Sequence, residues 1–512
     1  MLIELVILSA FFSGLFILFS SDENSHKFSF YLSLIPLLGT LIMWINFDGS
    51  GNALLNGGKI AFETYVPWLS LGSYSLSWHV GVDGISMPLI LLTSILTPLA
   101  ILSAWTPINE RKSQFYGLVL IIEAALFGVF VAFDFFVWFV FWEAVLIPMY
   151  FLIAIWGGTR RKYAAIKFFI YTNVASLVMF IGFMALIFGL GDSISSFNLI
   201  DISTALHSGQ LDGLGFLDAS TLKYVAFIAL FIGFGVKVPI VPLHTWLPDA
   251  HVEAPTPASV ILAGVLLKMG TYALLRFNFT LLADVAQKWA SIIAIIAAVS
   301  VIYGAFLALA QTDLKRIVAY SSISSMGYVL LGLVAYTVYG LGGATFQMIS
   351  HGLLSGLLFM SVGLIYNATH TRSIEDLSGL ADKMPLTSVI FIAGAFGYMG
   401  LPLMSGFAAE LFIFIGAFGA NFPFAKLITA ISMFGIVIVA GYLLLTIQRV
   451  FFGTFEVKGN PDLALPQIHD LMPLVVILLM IIALGIAPNI FFEMIQDAVE
   501  PMVSLLGGIS DV

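Results

Sequence analysis

Residues 233–277 read GFGVKVPIVPLHTWLPDAHVEAPTPASVILAGVLLKMGTYALLRF. The first part closes the apolar run VAFIALFIGFGVKVPIV yet places a lysine, Lys237, within it, followed by Pro239, Pro242 and Pro248. The second part, from Thr256 on, is long enough to cross a bilayer, which takes roughly 20 apolar residues. It carries Lys268 twelve residues past Thr256. Proline cannot donate a backbone hydrogen bond and clashes with the preceding turn, so the first span is predicted to be an interrupted helix. Interrupted helices free backbone groups that can hold water or ions inside a membrane protein. A lysine at mid-bilayer costs roughly 2.5–3.5 kcal/mol on insertion scales, so two in neighbouring spans demand a use.

The rest of the 512-residue chain fits that reading: 60% of residues are hydrophobic and 10% charged, with a mean hydropathy of +1.05. Soluble domains carry about 25% charged residues, so an ordinary globular enzyme is excluded. Hydropathy predicts an all-α polytopic membrane protein with about fourteen spans. They lie near 2–20, 28–45, 83–105, 114–133, 135–156, 163–190, 223–241, 256–278, 289–310, 317–337, 340–366, 385–418, 425–448 and 469–490. The segment 385–418 is overlong and carries an internal break. FETYVPWLSLGSYSLSWHVGV, at 62–82, alternates apolar and polar residues around turn formers and reads as a surface hairpin. From Asn489 on, the tail reads as an amphipathic helix at the membrane interface.

The formal charge of −9 gives no basic run able to track phosphates, which argues against nucleic acid. The chain has no cysteine, which removes disulfides, thiol catalysis and Cys-ligated iron–sulfur clusters. The N-terminus, MLIELVILSAFF, lacks a basic flank and a cleavage site and reads as a retained first span. With the N-terminus outside, twelve Lys and Arg fall in inner loops and five, Arg276 among them, in outer loops. The inner set includes Lys315, Arg316 and Arg372. The positive-inside rule then favours N-out and C-out.

Charges inside spans are the candidate functional residues. Glu143 lies in DFFVWFVFWEAVLIPMYFLIAIWG and Glu410 in GLPLMSGFAAELFIFIGAF. With Lys237 and Lys268 they place two acids and two lysines on four spans; Glu123 and His351 are less central. A buried carboxyl and a buried amine each resist charging, and an acid–base neighbour restores the charged form. Such groups exchange protons when a neighbour's charge changes. The alternative is a set of buried ion pairs that only specify packing. Glu410 stands after Pro402, between glycine-flanked segments, so a second break is expected 163 residues after Pro239. Breaks in corresponding positions of two halves point to a transport site. His244, Asp249, His251 and Glu253 read as a loop cap or proton entry; the seven-residue histidine spacing fits no usual zinc site. Lys167, near a span end, is expected to snorkel. No phosphate-binding motif GxxxxGK[ST] occurs.

Six long motifs carry a resemblance: GVDGISMPLILLT, FWEAVLIPMYFLIAIWG, KFFIYTNVAS, the 233–277 segment, TDLKRIVAYSSISSMGYV and HGLLSGLLFMSVGLIYNATHTR. Together they make the chain similar to the subunit M family of NADH–quinone oxidoreductase (respiratory complex I), the antiporter-like, proton-conducting membrane subunits. The resemblance implies fourteen helices with spans 4–8 and 9–13 as inverted repeats. The expected organisation is a single transmembrane domain over 1–512, with N-terminal helices and hairpin (1–112), a first half (113–278), a second half (289–452) and a C-terminal helix and tail (453–512). It implies proton translocation through Glu143, Lys237, Lys268, His351 and Glu410, with Glu123 weaker, coupled to quinone reduction elsewhere. The chain itself is expected to hold no cofactor and no metal; NADH, FMN, iron–sulfur clusters and quinone belong to partner subunits. The expected partners are other membrane subunits of the assembly, especially the sister antiporter-like ones, and the lipid bilayer. The expected location is a bacterial inner membrane. Glu410 and Ser355, where sister subunits usually carry lysine, select subunit M; the alternative is a cation/proton antiporter subunit of an Mrp-type complex. Many relatives have histidine where Ser325 stands in SSISSMG, so water or a neighbour would have to bridge there.

Overall fold

The computed structural model describes residues 1–55, 57–458 and 466–505. Among the described residues, twelve helices are long and apolar enough to span a membrane. The 17-residue Leu2–Leu18 adds one crossing, and the half-length pair Pro385–Tyr398 and Ser405–Phe418 adds another. The fourteen crossings follow the hydropathy closely. In chain order they are Leu2–Leu18, Asp22–Ile45, Ser86–Ser103, Lys112–Val131, Phe135–Trp156, Arg161–Leu190, Ala219–Lys237, Thr256–Leu281, Ala290–Leu309, Leu314–Val334, Val338–Thr369, the interrupted pair, Ala425–Phe451 and Ile468–Ile486. Both expected breaks are present. The seventh span stops at Lys237, turns through residues 238–245, and resumes as Trp246–Glu253. The twelfth is interrupted at residues 399–404.

Hydropathy does not say which spans face lipid, because every one is apolar. Packing decides it. The eighth span is buried along its whole length, and the tenth and eleventh nearly so. The sixth, ninth and thirteenth turn residues such as Leu177, Ile295 and Val437 outward. Buried polar side chains therefore concentrate on an internal axis where lipid never reaches. The eighth span also contains two π-helical segments, Leu262–Leu266 and Leu274–Leu281, which hydropathy does not reveal. A π turn widens the ladder and leaves carbonyls free to meet side chains.

One face of the bundle carries the hairpin. Strands β1 (Ala61–Leu71) and β2 (Tyr74–Val82) pair antiparallel, as the alternation predicts. Asp134, which caps the fifth span by accepting from Phe136 N and Val137 N, also accepts from Ser77 N on β2 at 2.9 Å. The opposite face holds most of the exposed basic loops. Two residues leave the loop count used for orientation. Lys315 lies 5% exposed in the tenth span and donates to Ala254 O, and Arg276 lies 2% exposed in the eighth. One is lost from each side, so the excess persists.

The C-terminal helix Asn489–Ser504 is amphipathic, but protein takes up its apolar face. Phe492 stacks on Phe412 at 3.9 Å, and Ile495, Ala498 and Val499 are buried. Asp497 and the Ala498 carbonyl accept hydrogen bonds from Gly51 N and Asn52 Nδ2 in the first long loop.

Candidate functional site

Lys237 is the last residue before the first break and is 2% exposed. Its ammonium has no hydrogen-bond partner and sits 5.1 Å from the ring centroid of Trp142. Trp142 is fixed by its indole N–H, which donates to Ser176 Oγ at 2.9 Å. The next residue is Glu143. One of its oxygens accepts a 3.4 Å bond from Asn173 Nδ2 and the other is unpartnered. Glu143 and Lys237 thus flank one tryptophan without forming an ion pair. The break itself is braced: Trp246 Nε1 donates to Val236 O at 2.8 Å and Val241 N donates to Ser300 Oγ.

Lys167 does not snorkel. Its ammonium bonds Asp249 Oδ2 at 2.7 Å and Thr245 O at 2.8 Å, tying the sixth span to the resumed part of the seventh. Of the four residues read as a loop cap or proton entry, Glu253 does cap a loop, accepting from Arg160 N at 2.8 Å. His251 is not in a loop. It is fully buried, stacked on Phe359 at 4.7 Å, with neither ring nitrogen partnered. The run of polar neighbours in LPDAHVEAP hid it, as TDLKR hid Lys315. The signal available was helical spacing after the break, which turns His251 inward.

Gly270 brings the seventh and eighth spans together. A Cβ there would stand 3.0 Å from Lys237 Cβ and 2.9 Å from Val238 N. Two residues earlier, Lys268 is fully buried, and its ammonium meets His351 Nδ1 at 2.6 Å and Ala263 O in the first π turn. The other ring nitrogen of His351 is unpartnered, and its ring lies 5.8 Å from that of Tyr398, edge to face. Tyr398, its hydroxyl also unpartnered, ends the helix before the second break. Past the break, Glu410 is 7% exposed. Its carboxylate folds back onto Gly400, so closely that a Cβ there would stand 2.6 Å from Oε2. Gly400 has φ +68°, so glycine is needed twice over, for the turn and for the approach.

Four sequence-predicted residues, Lys237, Lys268, His351 and Glu410, are therefore buried between the first break and the second, and Glu143, partly exposed, stands beside Trp142 at the first. Tyr398, which sequence reasoning missed, occupies the gap beside His351. Ser325 is 5% exposed in the tenth span. Glu123 is buried with both oxygens unpartnered and has no hydrogen bond to the others. Among the described residues, no three His, Asp or Glu side chains group as a metal site.

A family model described as NADH:quinone oxidoreductase/Mrp antiporter, TM, matches residues 132–438. A second, NADH-ubiquinone oxidoreductase chain 4, amino terminus, matches residues 60–129. The chain is 41% identical over 476 residues to NAD(P)H-quinone oxidoreductase chain 4 1 of Synechococcus elongatus, covering 92% of this chain and 85% of that one. It is 39% identical to F(420)H(2) dehydrogenase subunit M of Methanosarcina mazei, covering 94% and 93%. Among solved structures, a chain of respiratory complex I from Thermus thermophilus superposes with a TM-score of 0.86 at 27% identity, covering 99% of this chain and all of that one. A chain of the Mrp complex from Dietzia sp. gives 0.80 at 20% identity, a likeness of fold alone.

Proposed function

The chain belongs to the NADH:quinone oxidoreductase/Mrp antiporter family of membrane subunits, within the chain 4 group of complex I-type oxidoreductases, and from that premise we propose how it moves protons. Protons enter from the face bearing the basic loops and reach Lys237, whose affinity is set by the charge on Glu143. They pass to Lys268 and His351 at the centre and by Tyr398 to Glu410, and leave toward the hairpin face. The observation that carries this reading is the Lys268–His351 contact, which links the eighth span, packed on the first broken helix at Gly270, to the eleventh.

On this reading the redox centres lie outside the chain. NADH or another donor, FMN, iron–sulfur clusters and quinone belong to partner subunits, and the translocase activity is that of the assembly. The relatives' names differ in their donor, NAD(P)H in one and F(420)H(2) in another, which fits a donor chosen by the soluble partners. Sister antiporter-like subunits cover its lateral faces, and the N-terminus faces outside in a bacterial inner membrane. The proposed halves, 113–278 and 289–452, each contain one break.

Purification of the intact complex with identification of its subunits, followed by proton-uptake assays in vesicles, tests this reading. Redox partners should co-purify, and Lys237→Ala should assemble and pump poorly. Co-purification with antiporter subunits alone would assign the chain to an Mrp-type complex, and unimpaired uptake by Lys237→Ala would remove the proton role.

A further inference from the structure

Besides the residues buried between the breaks, the eighth span carries a second line of polar residues. Lys268, Tyr272 and Arg276 are spaced by four, which stacks them on one helix face leading from the centre toward the hairpin face. The guanidinium of Arg276 lies over the ring of Tyr272 at 5.0 Å. The Tyr272 hydroxyl donates to Phe130 O at 3.0 Å. At the end of the line Arg276 NH2 bonds Asp83 Oδ1 at 2.5 Å, with both residues buried. Asp83 is held by the backbone N–H groups of Ala53, Ile85 and Ser86. The two other nitrogens of Arg276, Nε and NH1, have no partner. Arg276 also lines a crevice with Leu54, Phe133, Trp138, Leu199 and Phe277, which is too narrow to admit water.

We propose that the Asp83–Arg276 pair is a proton plug, closing the first half of the subunit toward the hairpin face so that protons at Lys268 leave only by way of Glu410. The inference rests on the proton reading above. A proton path needs members that both accept and donate. Lysine and tyrosine can do so, but guanidinium only donates and is not deprotonated in proteins. A fixed donor-only cation also orients any nearby water with its oxygen inward, which breaks a proton wire, the device by which an arginine excludes protons from a pore. The dry crevice removes the water altogether. Asp83 offsets the buried charge and anchors the guanidinium across the line. The second half ends differently: Glu410 is a carboxyl that can both take up and give up a proton.

The test uses the intact complex in sealed proteoliposomes without electron donor. A pH gradient is imposed and its decay followed with a trapped dye. Asp83→Asn with Arg276→Gln, which neutralises both members and keeps polar side chains in place of the pair, should speed the decay several-fold. Adding Lys268→Met should restore the slow rate. An assembled double variant as tight as the parent would overturn the proposal. So would a fast decay that persists with Lys268→Met, which would mean general loosening. If the double variant does not assemble, Leu199→Cys in the otherwise native chain decides the matter, since the chain has no cysteine. Resistance of that thiol to a polar maleimide supports a closed, dry crevice; prompt labelling overturns it. The leak is read without turnover, so normal pumping by Lys237→Ala would strike the underlying proton reading and not this measurement.

Discussion

Lys268 Nζ and His351 Nδ1 lie 2.6 Å apart although 83 residues separate them in the chain. Among the described residues it is the only hydrogen-bonded link between the eighth span and the eleventh, and the amine also reaches the carbonyl of Ala263. At that distance an amine and an imidazole share a hydrogen bond, and a second proton placed on the pair would set two cations together.

On the proposed path His351 is the acceptor through which the two halves communicate. His351→Ala should cut proton uptake in vesicles at least several-fold while the complex assembles normally, because Lys268 keeps its bond to Ala263. His351→Gln, which supplies a hydrogen bond without a titrating ring, should recover assembly contacts but little pumping. Full pumping by His351→Gln would show that the imidazole is not a carrier.

Glu143 and Lys237 lie on either side of Trp142 without pairing, and on the proposed mechanism Glu143 acts on Lys237 through space. Glu143→Gln should lower quinone reduction and pumping together in the intact complex, while electron transfer to an artificial acceptor upstream of quinone is preserved. Normal quinone reduction with lost pumping would contradict tight coupling. Loss of the upstream activity as well would indicate failed assembly.

Glu410 folds against Gly400, which leaves little space around its carboxylate. Glu410→Asp should keep more proton uptake than Glu410→Gln, which preserves volume and hydrogen bonding but cannot ionise. Equal activity of the two would argue for packing. Gly400→Ala should be impaired even with Glu410 intact, because the added methyl meets the carboxylate and the left-handed backbone disfavours it.

Asp134 links the fifth span to the hairpin by accepting from Ser77 N, Phe136 N and Val137 N. Asp134→Ala should destabilise the purified subunit by about 2 kcal/mol, the upper range for a lost helix cap. Asp134→Asn, which retains an acceptor oxygen, should cost less. Thermal unfolding in detergent, compared between the two, checks the order.

Much of this molecule is written locally. Apolar runs of bilayer length mark the spans, and Pro239, Pro242 and Pro402 mark the breaks. A charge inside an apolar run stands out against its neighbours, which is why Glu143, Lys237, Lys268 and Glu410 were legible. His251, Lys315 and Arg276 were not, because each sits among polar residues or at a span end, and only the packing of distant helices buries it. Lys167 was misjudged for the same reason: a lysine near a span end can reach water or a carboxylate, and Asp249 comes within reach only after the seventh span breaks. The π turns of the eighth span have no hydropathy signature, yet one of them exposes the Ala263 carbonyl to Lys268.

The helix Asn489–Ser504 closes on a loop made 446 residues earlier, through Gly51 N to Asp497 and Asn52 Nδ2 to the Ala498 carbonyl. During synthesis the loop must wait, with those donors unmet, until nearly all other spans have entered the bilayer. A polypeptide cut short before Asn489 would leave both donors without these acceptors, so the ends of the chain are tied to each other only in the last step of assembly.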